Sequence, residues 1–147
     1  MEIAILGLGC FWGPEIKFSK LSGIIKTEVG YCGGHNAKTN YKEVCTGTTN
    51  HAEVVKLDFD PKIISYEEIL KYFFEIHDST TLNSQGPDFG TQYRSEIFYL
   101  NSNQKKTAEK ILKDVSERFS NKVVTKISLV KNYCAAEEYH QKYLEKR

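Results

Sequence analysis

Residues 2–13 read Glu-Ile-Ala-Ile-Leu-Gly-Leu-Gly-Cys-Phe-Trp-Gly, and the fold follows from how this stretch divides. The run EIAILGL, residues 2–8, is too short for a buried helix and is closed by Gly9, so it predicts a buried strand. Pro14 is tolerated only near the start of a helix, which predicts a helix from about Phe11 to Leu21. Cys10 therefore stands at a strand-to-helix junction.

Working outward, residues 24–32 (IIKTEVGYC) predict a second strand broken by Gly33-Gly34, followed by a polar loop to about Asn50. From His51 to Asp60 the apolar residues Ala52, Val54, Leu57 and Phe59 alternate well enough for a strand. Ser65 and Glu68 form a capping box that opens the helix YEEILKYFFEIH, in which Ile69, Leu70, Phe73, Phe74 and Ile76 share one broad core face. Residues 79–92 read as a long polar loop, and loops of that length in a compact domain more often carry function. A strand over 95–100, a helix over about 103–119 and a strand over 123–130 follow. The tail, 131–147, is rich in Tyr and charge and is expected to pack across the sheet. The order β-α-β-β-α-β-α-β predicts an α+β two-layer sandwich with a mixed sheet and a ferredoxin-like, split βαβ core. With no repeat and no linker, residues 1–147 are expected to form a single domain.

The chain has 147 residues, 20 Lys and Arg against 19 Asp and Glu, and a formal charge of +1. That balance argues against nucleic acid as a partner. Lys105, Lys106, Lys110 and Lys113 read as a solvated helix face. No apolar run approaches the length of a membrane span, and the N-terminal run lacks a basic flank, so neither a membrane anchor nor a signal peptide is expected. A cytoplasmic location follows. There the four cysteines, Cys10, Cys32, Cys45 and Cys134, read as thiols and not as a disulfide framework.

Cys10 is the residue with the strongest chemical context. At the start of a helix, unpaired N–H groups and the positive end of the dipole favour a thiolate, the form that attacks. Gly9 and Gly13 let the backbone turn and keep the sulfur approachable. Phe11 and Trp12 are either core or the walls of an apolar pocket beside the thiol.

Five runs extend this context. Gly9-Cys10-Phe11-Trp12-Gly13, Gly30-Tyr31-Cys32-Gly33-Gly34, Tyr41-Lys42-Glu43-Val44-Cys45-Thr46-Gly47, His51-Ala52-Glu53 and Gly90-Thr91-Gln92-Tyr93-Arg94-Ser95 resemble, in order and spacing, the A-type peptide methionine sulfoxide reductases. Ala136-Glu137 and His140-Gln141 extend the resemblance over nearly the whole chain.

A thiol that reduces a sulfoxide attacks the sulfur while the oxygen takes up a proton, so an acid and hydrogen-bond donors must stand nearby. Glu53, on a strand expected to be half buried, would have its pKa raised by desolvation. The resemblance implies that Cys10 is the nucleophile, Glu53 the acid, and Tyr41 and Tyr93 the donors to the oxygen. It implies that Phe11 and Trp12 hold the substrate methyl group and that Asp88 holds its backbone. It also implies the S epimer, protein-bound or free, as substrate, no bound cofactor or metal, and an external thiol reductant: thioredoxin, glutaredoxin with glutathione, or dithiothreitol. A monomer is expected.

Attack leaves a sulfenic acid on Cys10, which a second thiol condenses with. The chain lacks the glycine-rich, cysteine-bearing tail that supplies this thiol in many relatives. Cys134 is the first candidate and Cys32 the second; Cys45 reads as structural, and a one-cysteine cycle remains open. Three rival readings stand beside it: a zinc site from Cys32, His35, Cys45 and His51, too widely spaced for a closed structural site; a non-catalytic α+β binding module; and a peroxidase, which would need an arginine such as Arg94 beside the thiolate.

Overall fold

In the computed structural model residues 1–36, 38–47 and 49–146 are described, with only the backbone at 145 and 146. The first half alternates as its apolar pattern demands. Strand β1 (Glu2–Leu8) runs into helix α1 (Trp12–Ser19), strand β2 (Ile24–Cys32), a short helix α2 (Tyr41–Cys45), strand β3 (Ala52–Phe59) and helix α3 (Tyr66–Glu75). A hairpin of β4 (Ser84–Gln85) and β5 (Asp88–Phe89) and a 3-10 turn at Thr91–Tyr93 lead into β6 (Ser95–Tyr99). Helix α4 (Ser102–Arg118), β7 (Lys126–Leu129), β8 (Cys134–Ala135), a 3-10 turn at Glu138–His140 and α5 (Tyr143–Lys146) complete the chain.

The main sheet has the order β7-β6-β1-β3-β2-β8. Its inner four strands, β6-β1-β3-β2, are antiparallel neighbours, the arrangement of a split βαβ core. The crossover through α4 adds β7 parallel to β6, which makes the sheet mixed as expected. Helices α1, α3 and α4 cover one face, where Leu6, Val55, Leu57 and Phe59 meet Phe18, Ile69, Leu70, Phe73 and Ile111. Ile69, Leu70 and Phe73 are fully buried, each stabilising the fold by roughly 1.5–3 kcal/mol. On the opposite face a smaller cluster of Ile5, Cys32, Ala52, Val54 and Phe98 lies under Val130 and Tyr133 of the tail.

The capping box forms as the sequence implies: the Glu68 N–H donates to Ser65 Oγ at 3.0 Å and the Ser65 N–H donates to Glu68 Oε1 at 3.3 Å. The lysines of α4 face outward from its buried stripe of Ala108, Ile111 and Val115, and Lys110 pairs with Glu67 of α3 at 3.2 Å.

Three segments differ from expectation. The polar loop after β2 contains α2, a single turn capped by Asn40, whose Oδ1 accepts the Glu43 N–H at 2.9 Å. The 79–92 loop folds back as the β4–β5 hairpin. The tail adds β8 to the free edge of β2. It is then tied down by Gln141, whose amide donates to the Val29 carbonyl and accepts the Val29 N–H, both at 2.9 Å. Each of these elements is too short to build a period that a window of sequence could reveal.

Candidate active site

Cys10 lies in the turn between β1 and α1, one residue before the helix N-cap at Phe11. The turn requires Gly9, whose φ of +98° is left-handed and where a side chain would strike Gln85 of the hairpin: an ideal Cβ lies 2.8 Å from Gln85 Cγ. The hairpin is thus seated directly on the backbone that presents the thiol.

Glu53, at the start of β3 and paired with Tyr31 across the ladder, is only 1% exposed. One oxygen accepts the Phe11 N–H at 3.3 Å, and the other has no partner among the described residues. Burial pushes its pKa up to about 8, against the Phe11 hydrogen bond and with help from the Asp88 charge. A carboxyl of this kind keeps its proton at neutral pH. The strand buries Glu53 more deeply than the half-burial expected, because α1 and the tail close over this end of the sheet.

Cys10 corrects the reading of a helix-stabilised thiolate. Burial pushes its thiol up to about 11; the Trp12 N–H pulls it down, but the charges of Glu53, Asp88 and Cys45 push it further up. The helix terminus contributes as expected and loses to desolvation and two carboxylates. At pH 7 the free enzyme therefore holds a neutral thiol beside a neutral acid. Alkylation of Cys10 by iodoacetamide, followed by peptide mapping, is expected to accelerate with pH up to about 11. Glu53→Gln removes a like charge and should bring that midpoint down. A wild-type midpoint below 8 would contradict the burial argument.

Tyr41, on α2, has its hydroxyl in hydrogen-bonding range of the Cys45 thiol and of Tyr93, which follows the hairpin. Burial raises the Tyr93 hydroxyl to about 12, aided by the Glu53 charge; Tyr41 is raised too, by burial and then by Cys45. Both are obligate O–H donors in the physiological range. Phe11 is buried against Tyr31 and His140, with ring centroids 5.7 and 5.3 Å away. Trp12 is half-buried, stacks on Tyr143 at 4.0 Å and donates Nε1–H to His140 Nδ1 at 3.1 Å. Asp88, on β5, is near enough for its charge to act on Cys10, Glu53 and Tyr93.

Residue reasoning alone missed the tail's share of this site. Glu137 braces it, accepting the Tyr31 hydroxyl at 2.8 Å and the Tyr41 N–H at 3.0 Å. Burial works against its ionisation, but these donors outweigh it and hold the carboxyl below its usual range. His140 sits among Phe11, Trp12, Tyr41 and Tyr139. The signal for both was their membership in the Ala136-Glu137 and His140-Gln141 pairs, with His140 also readable as a base or as a holder of the tail. Cys134, opposite Tyr31 in the ladder, faces the same side of the sheet as Tyr31 and Glu53, with Sγ 3.7 Å from the Thr39 carbonyl. Cys32 is buried under the opposite face, its Sγ bonded to the Lys131 carbonyl at 3.3 Å. Arg94 also turns to that opposite face and pairs with Glu96 at 2.6 Å; it is no partner for the Cys10 thiolate, as a peroxidase reading would require.

A family model described as peptide methionine sulfoxide reductase matches residues 2–147. The chain belongs to that family. It is 77% identical over the full length of both chains to the peptide methionine sulfoxide reductase MsrA of Pelagibacter ubique. Among solved structures it resembles reduced Mxr1 of Saccharomyces cerevisiae, with a TM-score of 0.95 and 42% identity over 99% of this chain and 85% of that one. It also resembles Mxr1 in complex with Trx2, with a TM-score of 0.69 and 28% identity over 97% and 84% of the two chains. The enzyme is an oxidoreductase that reduces methionine sulfoxide. Among its described residues no helix is long and apolar enough to cross a membrane.

Proposed function

We propose that the reductase works by attack of Cys10 on the sulfur of a methionine-S-sulfoxide while Glu53 protonates the sulfoxide oxygen. The observation that carries this reading is the buried, proton-bearing Glu53 held against the Phe11 N–H beside Cys10. Tyr41 and Tyr93 donate hydrogen bonds to the same oxygen, steadying the charge that develops there. Phe11 and Trp12 wall the slot for the methyl group, and Asp88 accepts from the substrate's backbone N–H. Attack by the Cys10 sulfur forms an S–S bond; a Cys10 S–O bond then forms as the S–O and S–S bonds to the methionine sulfur break, and methionine leaves. The proton lost by the thiol balances the one gained by the oxygen, so Cys10 ends as a sulfenic acid.

A second thiol then condenses with the sulfenic acid and releases water. Cys134 is the resolving thiol in this scheme; reaching Cys10 requires the tail to loosen from the two-residue ladder that holds β8 to β2. Thioredoxin returns the disulfide to dithiols, by analogy with Mxr1 and Trx2, and glutaredoxin with glutathione is the alternative donor. The substrates are oxidised proteins and free methionine sulfoxide. Four free thiols suit the cytoplasm, where the chain would act as a one-domain monomer.

Mixing reduced protein, without added reductant, with racemic N-acetyl methionine sulfoxide tests the scheme. We expect one methionine product per chain and two thiols lost, falling to one lost in Cys134→Ser. A single thiol lost in the wild type would remove Cys134 and make the external thiol meet the sulfenic acid directly. No product from folded, reduced protein would overturn the reaction.

A further inference from the structure

Phe89 is 76% exposed, although it belongs to a hairpin tied down beside the site. Leaving an aromatic ring in water forgoes the gain of burying it, and nothing in the fold requires a ring there. The hairpin pairs Ser84 with Phe89 and Gln85 with Asp88. It is closed at its base by the Gly90 N–H donating to the Asn83 carbonyl at 2.9 Å and tethered by Gln85, which accepts the Asp78 N–H at 3.1 Å. The backbone that carries Phe89 is therefore held in place, and a preorganised backbone lowers the entropic cost of binding.

The ring forms one wall of a cleft of about 410 Å³ whose other wall is the end of α2. Cys45, Thr46 and Gly47 stand on that side, and Phe89 to Gln92 on this one. Among the described residues no charged side chain lines it. The cleft neighbours the reacting centre on three counts. Gln85 of the same hairpin packs on Gly9, next to Cys10. Asp88, the neighbour of Phe89, acts on Cys10 and Glu53. Cys45, in the far wall, is in hydrogen-bonding range of Tyr41. A substrate whose sulfur reaches Cys10 leaves its own backbone at the mouth of the site. In an extended peptide the adjoining residues then follow at about 3.3 Å per step.

We propose that this cleft is a subsite for an uncharged, apolar side chain flanking the methionine sulfoxide of an oxidised protein, with Phe89 as its specificity-determining residue. The subsite rests on reduction at Cys10, and gives the enzyme a preference among oxidised methionines according to their neighbours. It plays no part in the reaction of a substrate that has no neighbouring side chain.

Steady-state kinetics on blocked tripeptides X-Met(O)-Gly and Gly-Met(O)-X, with X as Leu or Gly, test this against N-acetyl methionine sulfoxide N-methylamide. The wild type should prefer Leu in one of the two positions by about tenfold in kcat/KM, through KM with kcat unchanged. Phe89→Ala should bring that preference below about twofold and leave the small amide within about twofold of wild type; Phe89→Tyr should restore the preference. The subsite is overturned if the wild type shows no preference at either position, or if Phe89→Ala keeps it. It is overturned equally if Phe89→Ala slows the small amide as much as the peptides, which would make Phe89 part of the reacting centre. Failure of the wild type to reduce the small amide would instead overturn the reaction at Cys10, and the subsite with it.

Discussion

Glu53→Gln is expected to slow the single-turnover formation of methionine by a hundredfold or more, as loss of a general acid does, and to make the protein more stable at pH 8. The amide has the volume of the carboxyl and can still accept the Phe11 N–H, so the pocket keeps its shape. What it lacks is a proton to release to the sulfoxide oxygen. The same substitution relieves the fold. A carboxyl raised from 4.5 to about 8 on folding contributes no penalty below pH 4.5, where it is protonated in both states. Above that the unfolded chain ionises freely and the folded chain does not. Stability is lost as pH rises to about 8, by on the order of 3–5 kcal/mol. Urea denaturation at pH 5 and pH 8 should show the wild type weakening relative to Glu53→Gln across that interval. Equal pH dependence in the two proteins would mean that Glu53 is not a buried acid, and near-full single-turnover rate in Glu53→Gln would remove it from the mechanism.

The pH dependence of the reaction follows from the same pair. The reactive arrangement carries one proton, on Glu53, with the Cys10 sulfur bare. With Glu53 at about 8 and Cys10 at about 11, the free enzyme holds two protons at neutral pH and one between those values. The value of kcat/KM should therefore rise with pH to about 8 and then level, and Glu53→Gln should lose that break. Cys10→Ser, which has no comparable nucleophile, should form no methionine at any pH.

The second large effect concerns stability alone. Arg94 and Glu96 are 8% and 4% exposed and form a hydrogen-bonded ion pair at 2.6 Å. Arg94 also donates to the Thr91 carbonyl at 2.8 Å, and Ser128 Oγ donates to the other Glu96 oxygen at 2.5 Å. Three segments are joined through it: the turn that carries Tyr93, the strand β6 and the parallel strand β7. Arg94→Met leaves Glu96 buried with the Ser128 hydroxyl as its remaining side-chain partner among the described residues and should cost about 3–5 kcal/mol. Adding Glu96→Leu removes the stranded charge and should recover most of the loss, since a buried pair replaced by apolar residues of similar size is often neutral. A double-mutant cycle by chemical denaturation measures both. A cost below about 1 kcal/mol for Arg94→Met would mean that solvent reaches Glu96 and that the pair is not the clamp between β6 and β7.

The principal strands and helices of this fold could be read from local pattern. The apolar run before Gly9, the alternation through Ala52–Phe59, the Ser65–Glu68 box and the one-sided stripes of α3 and α4 each report on neighbours within a turn or a pleat, and such neighbours are adjacent in sequence. The junction at Cys10 was legible for the same reason, since a strand, a glycine and an early proline leave few geometries. The resemblance carried by the spaced motifs then implied a shared site for Glu53, Tyr41, Tyr93 and Asp88, which no single residue among them could have done.

The protonation of that site was a different matter. A thiol at a helix start reads locally as a thiolate, yet Cys10 is pushed up to about 11. Desolvation and the charges of Glu53 and Asp88, far away in the chain, outweigh the local backbone. Likewise Glu137 and His140 come to the site only because the tail adds β8 to the edge of β2, and Phe89 becomes a wall only because its hairpin seats on Gly9. Periodicity, capping and turn chemistry are short-range and survive in the order of residues. Burial and electrostatic neighbourhood are sums over everything that packs nearby, and the folded chain alone assembles them.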